Sequence, residues 1–282
     1  MAIVFSLLSM GFAGFNDLLF KKYGAKDRPT GIFISIIGLI WALFFIISGL
    51  SKGSLVFSET AVLIGLLSGV CSALANIIFI VAMKKTGAAV GATIYRLNLI
   101  IVAILAFVFL GESLSPLKIA GLLCAVITVL LFCVKSSGNS HAPAGYIVLA
   151  LVTASFFRAG MGFSYKLAAI YSTSTEAFLV INGLCWVAAG IIYAFYKNES
   201  FIPPRKVLYY GSVSGFLVCG IALFLRLATG RGDASVVVTI SKLSFLITFP
   251  LSVIFLKEHF SLPKFVAIGL ALVCIILFSF SK

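Results

Sequence analysis

Thr93-Ile94-Tyr95-Arg96-Leu97 lies inside a long apolar run, and Thr239-Ile240-Ser241-Lys242-Leu243 repeats it 146 positions later. Each segment puts one cation where hydrocarbon is expected. A Lys or Arg at the centre of a membrane helix costs roughly 2.5 to 3.5 kcal/mol on insertion scales, so two at matched positions need a physical reason.

The surroundings of both segments settle the class. Hydrophobic residues make up 62% of the 282 and charged residues 10%, with a mean hydropathy of +1.21. That leaves too little polar surface to cover a soluble globule. The chain divides into ten apolar runs of the length needed to cross a bilayer, about 20 residues each. They are too long and too uniformly apolar for barrel strands. The expectation is an all-α integral membrane protein with ten transmembrane helices. The net charge of +13 would suit nucleic acid in a soluble chain. Here most basic residues sit at run ends, where they anchor spans, which argues against a nucleic-acid partner. All six cysteines lie within apolar runs without paired short spacing, so neither a disulfide framework nor a metal site is expected. The first run lacks a basic leader and a cleavage signal, and reads as a helix.

The repeat extends far beyond the two cations. Gly38-Leu39-Ile40-Trp41 matches Gly183-Leu184-Cys185-Trp186 at a shift of 145, and Gly65-x-x-Ser68-Gly69 matches Gly211-x-x-Ser214-Gly215 at 146. Glu112 falls on Glu258 and Lys118 on Lys264. The polar stretch 136–143 separates a first unit, 1–135, from a second, 144–282. Five spans per unit is an odd number, so the second copy enters the membrane upside down. Two inverted five-helix repeats follow, with a substrate site expected near mid-membrane where they meet.

Counted from Ala88 and Ala234, Arg96 and Lys242 are each about 12 Å into their spans. At that depth each must face protein or water. Thr93 and Thr239 lie one turn earlier, and Asn98 and Ser244 follow; these offer neutral hydrogen-bond partners. Arg158 in the sixth span and Arg226 near the end of the eighth add charge. Every Asp and Glu, Asp17 included, reads as lying near a span end or in a loop. A cavity with several cations and no deep carboxylate is completed by an anion. The alternative is that Arg96 and Lys242 bond backbone carbonyls and pin the repeats together; for Arg158 and Arg226, which lack symmetry mates, that structural role is the favoured one. Tyr95 adjoins Arg96 and could stack on a substrate, although its repeat counterpart is Ser241, which favours a packing role. Trp41 and Trp186, both mid-span, suit a cavity wall or core packing. Pro250 should kink the ninth span, for gating or for curvature. The small-residue patterns read as close helix packing.

The two-repeat architecture, with the joints Leu110-Gly111-Glu112 and Leu256-Lys257-Glu258, resembles the drug/metabolite transporter (DMT) superfamily, in particular its EamA-like ten-helix branch. That resemblance implies a secondary carrier whose first four helices in each repeat surround a central cavity, with Arg96 and Lys242 facing or flanking it. No nucleotide-binding loop of the G-x-x-x-x-G-K-[ST] type occurs, so ATP is not expected to drive it. No cofactor is expected. A small organic anion bearing phosphate or carboxylate is the favoured substrate, with export of amino acids or other amphipathic metabolites or drugs as the alternative. A channel or membrane enzyme lacks a supporting motif. The expected setting is the cytoplasmic membrane, with the bilayer and the substrate as partners and a homodimer left open. The charge distribution puts both termini outside, whereas the resemblance puts them inside.

Overall fold

The computed structural model describes residues 1–24, 26, 28–83, 94–131, 145–256 and 262–281. Thr93, Gly87-x-x-x-Gly91, Glu258 and the linker 136–143 lie outside the described residues. Those described are helical, with no strand among them. In order the helices are α1 (Ala2–Gly24), α2 (Thr30–Lys52), α3 (Glu59–Met83), α4 (Asn98–Leu110), α5 (Pro116–Leu131), α6 (Gly145–Ile170), α7 (Thr175–Tyr196), α8 (Arg205–Thr229), α9 (Ala234–Lys242), α10 (Phe245–Leu256) and α11 (Leu262–Phe280). Among the described residues seven helical runs are long and apolar enough to cross a membrane, the pair α9–α10 counting as one. Three shorter apolar helices, 94–110, 116–131 and 265–280, accompany them. Ile47, Phe109, Leu149, Ile192 and Ile254 stand exposed on the outer faces, as expected of side chains bathed in lipid.

Local chemistry sets the ends. α2 stops at Gly53 and α4 at Gly111, whose φ values of 62° and 65° are left-handed and suit glycine. α7 starts behind Ser174, whose hydroxyl accepts from the Ala177 N–H. Two helix starts are capped from distant chain. The Glu199 carboxylate accepts from the Thr30 and Ile32 N–H groups at 2.8 and 3.1 Å. Glu112 accepts from the Ala234 and Ser235 N–H groups at 2.6 and 3.1 Å and from the Ser235 hydroxyl. A carboxylate there meets the positive end of the helix dipole. Next to it Lys118, 1% exposed, pairs with Asp233 at 2.5 Å and donates to the Ser113 carbonyl.

The bundle is built on the crossing of α2 and α7. A Cβ on Gly38 would stand 2.6 Å from the Gly183 carbonyl oxygen, and one on Gly183 would stand 2.7 Å from the Ala42 nitrogen. The two backbones therefore touch, which only glycine permits. Trp41 and Trp186 meet edge to face across this crossing at 5.7 Å. Around it α3 packs on α6 and α7, α1 on α8, α2 on α8, and α5 on α11. Gly65 and Gly69 face Ile181 and Cys185, while Gly211 and Gly215 face Ile36 and Ile40. The small-residue patterns are close-packing devices at these four described glycines.

Candidate functional site

The fourth and ninth apolar runs are both interrupted, and at matched residues. In the first, Leu97 N–H donates to Ile94 O at 3.2 Å and Ile100 N–H to Leu97 O at 3.0 Å. In the second, Leu243 N–H donates to Ile240 O at 3.0 Å and Leu246 N–H to Leu243 O at 2.9 Å. Each residue in the second set is 146 positions after its counterpart. These three-residue turns tighten the helix and rotate its face. The second interruption falls at Leu243–Ser244 and not at Pro250, which lies inside α10. Thr248 hydroxyl bonds to the Ser244 and Gly14 carbonyls, both at 3.1 Å, hold that turn against α1.

Arg96 and Lys242 sit at these interruptions. The Asp17 carboxylate of α1 reaches both sides of them, which corrects the expectation that every acid lies near a span end. One of its oxygens stands 3.4 Å from Arg96 Nη2, and the same oxygen accepts from the Ser244 hydroxyl at 2.6 Å and the Thr248 hydroxyl at 3.4 Å. The reason for the difference is helix length. α1 runs on past Lys21 and Lys22 to Gly24, which places Asp17 seven residues, about 10 Å, inside its end. Lys242 lies within electrostatic reach of Arg158, Asp17 and Arg96. The Arg96 guanidinium also rides over the Phe245 ring at 4.8 Å.

Arg158 is brought to the first interruption by Ser155, one turn before it on α6, whose hydroxyl donates to the Ile94 carbonyl at 2.7 Å. Tyr95 stacks on Phe79 at 4.2 Å, and its phenol feels the charge of Arg158. Arg158 Nε, Tyr95 Oη and Asn98 Oδ1 are buried without a hydrogen-bond partner among the described residues. Trp41 Nε1, Tyr165 Oη and Arg226 Nε are likewise without a described partner; what sets the first three apart is that they lie beside the interruption that carries Arg96. Two turns beyond Asp17, α1 ends in a solvent-open basin of about 580 Å³ lined by Lys21, Lys22, Lys26, Arg28 and Lys206.

A sequence model described as the EamA-like transporter family matches residues 1–134. The chain belongs to this family. It is accordingly a DMT-superfamily, multi-pass membrane transporter of small molecules. An uncharacterised protein of Methanocaldococcus jannaschii is 35% identical over 136 residues, covering 48% of this EamA-like chain and 97% of that one. A solved structure described as "Crystal structure of protein" superposes with a TM-score of 0.79 at 15% identity, covering 98% of this chain and 95% of that one. The two chains share a fold.

The remaining residues of the EamA-like chain singled out from its sequence fall in three places. Thr239 is fully buried, its hydroxyl bonded at 2.6 Å to the Ser235 carbonyl of its own helix. Trp41 and Trp186 belong to the α2–α7 crossing, where Trp186 Nε1 donates to the Ser72 hydroxyl at 2.7 Å. Arg226 stands at the turn between α6 and α7 and donates to the Ala168 and Thr173 carbonyls at 2.8 and 3.1 Å. It ties down a helix end and is not brought to Asp17. Sequence reading missed Asp17, Thr248, Phe245 and Phe79. Thr248 follows Ser244 by four residues and so shares its face, a periodicity that could have marked it.

Proposed function

We propose that this transporter is a secondary carrier of a small organic anion, bearing phosphate or carboxylate, bound between the two interrupted helices and moved by alternating access. The observation that carries the reading is that Arg96, Lys242 and Arg158 share one electrostatic neighbourhood with a single described carboxylate, Asp17, which pairs with Arg96, beside buried polar atoms of Tyr95, Asn98 and Arg158 that have no described partner. An anion would complete this charge balance and accept from the guanidinium and ammonium groups at once. Arg96 and Lys242 are its principal ligands, with Arg158, Tyr95, Asn98 and Ser244 around them. Trp41, Trp186 and Arg226 act as framework, and Pro250 shapes the gate of the ninth span. The basic basin beyond Asp17 concentrates anions at the mouth.

We further infer an architecture of two inverted five-helix repeats, 1–135 and 144–282, joined by 136–143, in the cytoplasmic membrane. Reciprocal contacts support it. Gly38 faces Gly183, Trp41 faces Trp186, and Gly65–Ile181 is mirrored by Gly211–Ile36. The matched hydrogen bonds at the interruptions add to this, as does a relative that is nearly covered by 136 residues, the length of one repeat. Discontinuous helices at corresponding positions are a feature of inverted-repeat carriers.

A second reading, export of an amino acid, is favoured by Asp17 itself, because a zwitterion would put its carboxylate on the cations and its ammonium on Asp17. Proteoliposome uptake and exchange, with inorganic phosphate, glucose 6-phosphate, succinate, neutral amino acids and a cationic drug, tests both. Anions alone should be carried. Transport restricted to cations or neutral compounds sinks the anion reading, and amino acids without simple anions select the second.

A further inference from the structure

We propose that Asp17 is a built-in counter-anion, which occupies the cation cluster while the carrier is empty and is displaced from Arg96 by the substrate. This rests on the anion reading above. Three features of the geometry support it. One carboxylate oxygen stands 3.4 Å from Arg96, and the two side chains of the pair are 35% and 21% exposed. A long, partly solvated ion pair of this kind contributes little, so an incoming anion can displace it. The same oxygen is held at 2.6 Å by Ser244 across the second interruption, which keeps the carboxylate on hand after Arg96 lets go. Asp17 therefore links α1, the turn at Arg96 and α10 when the site is empty, and only α1 and α10 when it is full. Substrate binding loosens one of the two interrupted helices and leaves the other tied.

The consequence is a rule for the transport cycle. To return empty, the carrier must occlude Arg96, Lys242 and Arg158 together, and buried cations without compensation are costly. With Asp17 in place the empty form keeps a counter-charge and can reorient. Without it, the carrier reorients only when loaded.

The test is Asp17→Asn, whose amide oxygen can still accept from Ser244, assayed in proteoliposomes with inorganic phosphate, glucose 6-phosphate and succinate. The anion that stabilises the wild type should bind the variant about fivefold tighter or more, the lower end of ordinary site-to-site coupling. Anion-for-anion exchange should half-saturate at correspondingly lower concentration, while net uptake into anion-free vesicles falls at least tenfold relative to exchange. Asp17→Glu, which keeps a carboxylate, should restore net uptake and the weaker affinity. Should Asp17→Asn not fold, Asp17→Ser carries the same comparison. Unchanged or weaker anion binding in the carboxylate-free variant, or loss of exchange and net uptake in parallel, overturns the inference while leaving the anion reading intact. A wild type that none of the three anions stabilises overturns the anion reading itself, and the inference with it.

Discussion

The α2–α7 crossing and the interrupted helices are both made from repeated sequence, yet they use it in opposite ways. At the crossing the two copies stay nearly identical and face each other, Gly38 on Gly183 and Trp41 on Trp186. At the interruptions the backbone is copied hydrogen bond for hydrogen bond, while the side chains have parted: Arg96 against Lys242, Tyr95 against Ser241, Asn98 against Ser244. Neutral and reciprocal contacts carry stability. In the function proposed above, charged and unequal ones serve the ligand. A region whose two halves must pack against each other cannot diverge without leaving voids or clashes, since interiors are close-packed. One that faces a ligand is released from that constraint.

The comparison can be broken from either side. The largest effect should come from Gly38→Leu, which forces a branched side chain into a backbone contact of 2.6 Å. Overpacking costs about 1 to 3 kcal/mol when side chains can yield, and here the obstacle is main chain, so the loss should reach about 3 kcal/mol or more. Thermal unfolding in detergent reads it, and any folded fraction should keep its wild-type anion affinity. A variant that is stable but binds anions poorly would show that the crossing reaches into the site.

Arg96→Gln should do the reverse. Loss of a hydrogen bond to a charged group removes about 1.5 to 3 kcal/mol, some tenfold to a hundredfold in anion affinity. Binding titration with inorganic phosphate or succinate measures it, and the melting temperature should stay close to wild type because the pair with Asp17 is long and partly solvated. A large fall in stability with affinity preserved would return Arg96 to the role of structural pin.

Trp186→Phe is the mildest and sharpens the boundary. It keeps an aromatic ring but removes the 2.7 Å bond to Ser72 and leaves some space where the indole stood, so about 1 to 2 kcal/mol of stability should go and transport should not change. Altered substrate preference would place this tryptophan in the cavity wall.

These assignments also show what was readable in one dimension. A cation in an apolar run is visible as it stands, and so is a repeat of Gly-x-x-Ser-Gly; the first led to the interrupted helices, the second to the close-packed ones, and the repeat to the family. Asp17 was not visible, because its depth depends on where α1 stops. Lys21 and Lys22 look like a membrane-edge anchor, yet the helix passes them to Gly24. Lys118 and Glu112 read as joint residues, and only tertiary packing brings them together to hold the start of α9. For Arg226 the lack of a symmetry mate already favoured a structural role, and the carbonyls 53 and 58 residues away that take up its guanidinium could not be named from sequence. Hydropathy ranks depth along a helix and says little about which side chains of other helices meet there.

The central claim is that the two interruptions serve one ligand, and a double-mutant cycle of Arg96→Gln and Lys242→Gln on anion affinity tests it most directly. Two cations gripping the same anion should show a coupling of about 1 kcal/mol or more between the substitutions. Losses that add to within about 0.5 kcal/mol would mean that the two act independently, and would contradict a composite site.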